Sequence, residues 1–443
     1  MSAAEAAPEG VIVPSWRDKG IWAPAASDAP APATTEEAAA LAGYLAERPA
    51  LFGGSCVWPA MVLREDALEQ NIRALADFAA RHSLLFAPHG KTTMAPQLWR
   101  RQIDAGAWGI TVATPAQLLI ARRAGVARVL LANEVLDVTA LDWIAAELAA
   151  DPGFEFACFV DSAAGVRAIA AAGVAHALEH GPRGGFPVLL DVGFAGGRTG
   201  VRSRAEARAL ADLVAATPGI RLVGVSSYEG GLLAVEAVKG YFAGVRTIVE
   251  ELAAAGLLPV DAIVTAGGSV YFDQVGSELT AEWARSVLPD ARVILRSGAY
   301  ISHDDGVYVG KTAFNRIPAE GSLSGALQIW AQVISAPEPG LALVGMGKRD
   351  APIDSGLPVP LLLRRADAAG RHLSTETAVI HGARLTALDD HHGYLALPEG
   401  VTVMPGDLVA FGISHPCTAF DRWSGIPVVN ADDTIIDIVR TYF

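Results

Sequence analysis

The chain has 443 residues, 51% of them hydrophobic and 19% charged, enough for a large core shared by two domains or by one barrel with an attachment. A formal net charge of -14 with no lysine–arginine run argues against nucleic acid and against an anionic membrane surface. No stretch is long and apolar enough for a bilayer span. The N-terminus lacks the basic-then-apolar order of a signal peptide, and the three cysteines, Cys56, Cys158 and Cys417, lie far apart. The expected compartment is the cytoplasm.

Residues 1–55 read as an N-terminal arm, with an Ala- and Pro-rich stretch over 23–40. A strand is expected within 56–63, followed by a helix through "REDALEQNIRALADFAARH". Strand-like runs then recur at 84–88, 109–113, 128–133, 154–160, 186–192, 221–228, 261–266 and 291–297, with helical, Ala- and Leu-rich segments between them. Eight alternations predict a (β/α)8 TIM-type barrel over 56–305, an open doubly wound sheet being the competitor. After Ser297 the pattern becomes short alternating runs broken by Gly, Pro and Asp, which predicts a C-terminal antiparallel β-domain over 306–443.

Barrel chemistry collects at the C-terminal ends of the strands. Lys91, in "LLFAPHGKTTMAP", lies just past the first of them and suits a base, a phosphate ligand or a Schiff-base amine, or an ordinary loop lysine. Gly267, Gly268 and Ser269 follow the seventh strand, where backbone N–H groups can close on a phosphate, although a simple turn also explains them. The fifth strand ends in "DVGFAGGRTGV". Its spacing is not that of a dinucleotide fingerprint, and Arg198 projects a cation into the mouth. The sixth ends at Tyr228 and Glu229, which read either as site groups or as a rim aromatic and a solvated acid. In the C-terminal half His415 and Cys417 are two apart, one face of an extended segment. Imidazole with thiolate suits zinc or a similar metal, and a buried cysteine beside a hydrogen-bonded histidine is the alternative.

Together, "PHGKTT", "DAGAWGITVATPAQ", "DVGFAGGRTGV", the tyrosine closing the sixth strand and "AGGS" resemble the alanine-racemase-like, fold type III pyridoxal-phosphate enzymes, and most closely the D-serine dehydratase and D-threonine aldolase branch. Gln117 stands where the branch usually has an acid. The resemblance covers roughly 55–430 and implies that Lys91 binds pyridoxal 5'-phosphate as a Schiff base. It places Arg198 near the phenolic oxygen, Tyr228 near the ring nitrogen, and Gly267, Gly268 and Ser269 on the phosphate, with Tyr300 in reach of it. It also implies a divalent metal, zinc or manganese, on His415 and Cys417, and a homodimer whose neighbouring β-domain completes the site.

"DDHHGYLAL" resembles an "EHG" element, with His392 a candidate catalytic residue. "PIDSGLP" resembles a "DSG" turn in which Asp354 shapes a loop. His303, Asp304 and Asp305 read as a solvated loop at the domain junction. The implied reaction is dehydration and deamination of a D-3-hydroxy amino acid, such as D-serine or D-threonine, to a 2-oxo acid and ammonia, because H-x-C resembles the dehydratases. The alternative is retro-aldol cleavage to glycine and an aldehyde. A racemase or a non-catalytic cofactor carrier ranks below both.

Overall fold

A computed structural model describes residues 35–54, 56–181, 184–367 and 373–443. Most of the expected arm lies outside them, and its described end forms a helix, Thr35–Ala46 (α1). Strand β1, Ala60–Arg64, leads into α2, Glu65–Arg81, whose buried face (Leu68, Ile72, Leu75, Phe78, Ala79) repeats at three- and four-residue steps.

The eight expected parallel strands form: β2 (Leu85–Phe86), β3 (Ile110–Val112), β4 (Arg128–Glu134), β5 (Glu155–Val160), β6 (Phe186–Val192), β7 (Ile220–Ser227), β8 (Ile263–Ala266) and β9 (Arg292–Leu295). They pair in the order β2-β9-β8-β7-β6-β5-β4-β3. The sheet curls until its ends meet: Trp108 N–H donates to Phe86 O at 2.7 Å, Thr111 N–H donates to Pro88 O at 2.9 Å, and a parallel bridge joins His89 to Thr111. Alternate side chains, Ala87, Leu130, Ala157, Phe159, Leu189, Val223, Ile263 and Ile294, fill the interior as a separate apolar cluster, so the barrel is packed rather than open. The (β/α)8 expectation holds.

The second sheet contains β10 (Leu327–Glu338), β11 (Leu341–Val344), β12 (Val359–Ala366), β13 (Leu373–Val379), β14 (Arg384–Leu388), β15 (Gly393–Ala396), β16 (Leu408–Gly412), β17 (Gly425–Val429) and β18 (Ile435–Arg440). Its pairings are antiparallel except one, where β1 runs parallel to β17. The strand expected near 56–63 therefore forms, but in this sheet, between β10 and β17, rather than with the barrel residues that follow it. Its run Ala60–Leu63 is buried throughout, as an interior strand with partners on both sides requires.

The two sheets are stitched together beside the barrel mouth. Buried Asn71 donates to Ile301 O and Ser324 O and accepts from Ser324 N–H. Asp305 N–H donates to Ile413 O, and Val307 N–H donates to Ser414 O, both at 2.9 Å. These last two bonds tie the segment leaving β16 to the loop leaving β9. His303 and Asp304 are correspondingly buried, at 2% exposure each, and not part of a solvated loop. The Asp304 carboxylate accepts from the N–H groups of Gly306, Tyr308 and Val309 and shapes the turn they form.

Candidate functional site

Strand β2 stops after two residues because Pro88 has no N–H to continue a ladder, and the chain turns through a short helical turn, Gly90–Thr92. Gly90 is required there: a Cβ would come within 2.8 Å of both Ile110 Cγ2 and Trp99 Nε1, and that indole N–H donates to Gly90 O. The turn lifts Lys91 to the mouth, half-buried. Burial lowers its ammonium below the usual lysine range, Cys417 opposes that fall, and Arg198 and Arg296 add to it.

Cys417 comes from the β-domain of the same chain. Past β16, His415 leads into the turn Pro416–Thr418, which packs against Gly90–Thr92 and leaves Cys417 Sγ 3.9 Å from Thr92 Oγ1. Asp354 braces this turn, accepting from His415 Nδ1 at 2.6 Å and from Thr418 Oγ1 at 2.7 Å. His415 is pushed up to about 9, first by its hydrogen bond with Cys417 and then, against burial, by Asp354. Tyr308 adds its ring, 5.9 Å from the His415 ring centroid, and burial followed by Cys417 raises its phenol. Among the described residues no group of three or more His, Cys, Asp or Glu gathers as a metal cluster. His415 and Cys417 are the two side chains of this turn whose donor atoms, an imidazole and a thiol, are of the kind zinc takes.

The floor of the mouth is a buried polar layer. Arg296, at the end of β9 and 4% exposed, donates to Thr265 Oγ1 and to Ser227 O, each at 2.7 Å. Glu229 is fully buried and accepts from Gly268 N–H at 2.6 Å and Gly267 N–H at 3.2 Å; burial raises its carboxyl, and the Gly268 bond opposes this. Gly267 has φ +97°, and a Cβ on it would collide with Leu295 Cδ1, so the turn after β8 is built for glycine. Among the described residues, the N–H groups of Ser269, Val270 and Gly298 have no protein acceptor. They offer the donors that an anionic group would need. Tyr228 lies against Gly268, where a Cβ would come 3.1 Å from its Cε2, and the exposed Arg198 guanidinium stands 5.0 Å from its ring centroid.

Residues 63–285 match the alanine racemase N-terminal domain, half of the chain. The chain belongs to the alanine-racemase-like, fold type III family. Residues 326–429 match a second family, described as "Putative serine dehydratase domain". A 3-hydroxy-D-aspartate aldolase of Paracoccus denitrificans is 26% identical over 376 residues, which cover 83% of this chain and 88% of that one. The crystal structure of a D-threonine aldolase from Filomicrobium marinum superposes with a TM-score of 0.70 at 26% identity, over 87% of this chain and 95% of that one. A D-threo-3-hydroxyaspartate dehydratase from Delftia sp. HT23 shares the fold with a TM-score of 0.66 at 23% identity, over 87% of this chain and 98% of that one.

Within this member of the family, the structure brings Lys91, Arg198, Tyr228 and Cys417 close enough to perturb one another electrostatically, and Cys417 likewise raises His415. Gly267 and Gly268 are present at the mouth, but their own N–H groups are taken by Glu229. The available donors move one step on, to Ser269 and Val270. Tyr300 is elsewhere: its ring packs on Phe86, which faces the helices and not the barrel interior, and its hydroxyl accepts from buried Gln102 on the helix Pro96–Asp104 (α3) at 2.8 Å. His392 is exposed in the turn between β14 and β15. Among the described residues no hydrogen bond or ring contact joins its side chain to the Lys91 group. Gln117 replaces the usual acid as a helix cap, accepting from Ala113 N–H while its own N–H donates to Thr114 Oγ1.

Sequence reasoning missed Arg296 and Tyr308 and left Glu229 open, whereas Asp354 shapes its loop as expected. Arg296 had the same signal as Lys91, a cation closing an apolar strand, in "ARVILRS".

Proposed function

We propose that this chain is a pyridoxal-phosphate-dependent, divalent-metal-assisted lyase that dehydrates and deaminates a D-3-hydroxy amino acid to a 2-oxo acid and ammonia. The observation carrying the reading is the packing of the Lys91 turn against the His415–Cys417 turn within one chain. When bound, pyridoxal phosphate supplies an electron sink for charge developing at the substrate Cα, and zinc or manganese supplies a Lewis acid for the β-hydroxyl.

The residues present fit both groups. Lys91 carries the cofactor, and its lowered basicity suits an amine that also takes a proton from the substrate Cα. The free N–H groups of Ser269, Val270 and Gly298 hold the phosphate, with the Ser269 turn kept in shape by Gly267 and Gly268 on Glu229. Arg198 would serve the phenolic oxygen and Tyr228 the ring nitrogen, where a neutral phenol withdraws electrons less than a charged partner does. His415 and Cys417 would hold the metal, beside the turn that carries Lys91. His392 belongs to this reading only as a group offered to the neighbouring copy of a homodimer.

The relatives at 26% identity are named aldolases, which favours retro-aldol cleavage as a second reading. Incubating the purified protein with D-threonine separates the two. Ammonia with 2-oxobutanoate, lost on chelation and restored by zinc or manganese, supports the dehydratase. Glycine with acetaldehyde overturns it in favour of the aldolase.

A further inference from the structure

The loop Asp354–Gly356 touches the His415 segment at three points. Besides the two Asp354 bonds, Ser414 Oγ donates to Gly356 O at 2.6 Å. An ionised carboxylate only accepts hydrogen bonds, so the bond to Asp354 places a ring proton on His415 Nδ1 and leaves Nε2 as the ring nitrogen a metal would take. The second bond, from Thr418, fixes the carboxylate plane and holds the turn that carries Cys417. Asp354 is itself 43% exposed in its side chain, while His415 is 18% exposed, so the acid approaches the imidazole from the solvent side and the ring's other edge faces inward. On its other side the His415 ring centroid lies 5.9 Å from that of Tyr308.

We propose that Asp354 is a positioning residue for the metal site: it fixes the tautomer and orientation of His415 and, through Thr418, the place of Cys417, without itself ligating the ion. The inference rests on the metal-assisted reading above. A carboxylate behind a ligating histidine raises its basicity and removes its rotational freedom, and losing such a partner costs about 10–100-fold in metal affinity.

The test measures zinc binding to the full-length protein, depleted of metal by dialysis against chelator, in competition with a chromophoric chelator. Cobalt binding, followed by its thiolate charge-transfer absorbance, provides a second readout. Asp354→Ala is expected to weaken zinc binding by about 10–100-fold, and Asp354→Asn, which keeps one acceptor oxygen, to weaken it less. Thr418→Val is expected to move affinity in the same direction with a smaller change. The thermal midpoint of the metal-free protein is expected to stay the same in all three, which a merely structural role would not predict. Should Asp354→Ala fail to fold, the Asp354→Asn and Thr418→Val affinities decide. Wild-type affinity retained within about twofold in the folded variants overturns the assignment alone. A wild-type protein that binds neither zinc nor cobalt overturns the metal reading and this inference with it.

Discussion

Lys91 reaches the mouth because proline ends its strand and a glycine that tolerates no Cβ starts its turn. Lys91→Ala is expected to abolish the yellow cofactor absorbance and lower turnover by at least about 10²–10⁴-fold; a variant that keeps both would remove the lysine from the chemistry. Glu229 makes a different demand. Its carboxylate is buried without an ion-pair partner in contact and holds two backbone N–H groups, so Glu229→Ala leaves both donors unpaired. It is expected to cost about 1–3 kcal/mol in urea unfolding and to weaken cofactor retention. A change confined to turnover would contradict that role. Residue types were legible at this scale where chain position alone placed them, as for Lys91, Arg198 and Cys417. Direction was not. Tyr300 neighbours the mouth in sequence, yet the short turn Ala299–Ile301 rotates it onto Phe86 and the helical layer. Glu229 stays open between a site group and a solvated acid until its partners, some forty residues on, are known.

The eight barrel strands were readable because each is a short apolar run bounded by turns and flanked by helical periodicity, all of it local information. β1 was placed in the wrong sheet for the opposite reason: its partners start at Leu327 and Gly425, and nothing within its own five residues says so. The turn after β8 carries a test of its geometry. Gly267→Ala puts a Cβ on a left-handed residue against Leu295, and is expected to destabilise the protein by about 1–3 kcal/mol and to loosen the cofactor; unchanged stability would mean the turn adapts.

The loop after β9 carries another. Burial, then Asp304, raises the Asp305 carboxyl from 3.8 to about 6. A raised carboxyl favours the neutral form in the fold, so its contribution is complete below pH 3.8 and is lost as the pH climbs through 6. Asp305→Asn is therefore expected to stabilise the protein by about 2–3 kcal/mol near pH 8 and by about half as much near pH 5, measured by urea unfolding. An equal effect at both pH values would assign the change to packing instead.

At the scale of the molecule, two sheets of different character meet at one mouth. The parallel sheet contributes the lysine, the glycine turn after β8 and the buried Arg296 layer. The antiparallel sheet contributes the His415–Cys417 turn, held in place by the Asp305 and Val307 backbone bonds to Ile413 and Ser414. Both halves were visible in sequence as a change of period near residue 305. Their convergence was not, since it rests on hydrogen bonds between residues over a hundred positions apart. This chain's own β-domain reaches the Lys91 turn through Pro416–Thr418.

Replacing Cys417 with Ala tests this convergence most directly, with turnover of D-threonine and cofactor absorbance read on the same sample. The account predicts that turnover falls by at least about 10²-fold while the yellow absorbance persists, because the cofactor is held by the barrel and the metal by the β-domain. Turnover that survives the substitution would contradict it.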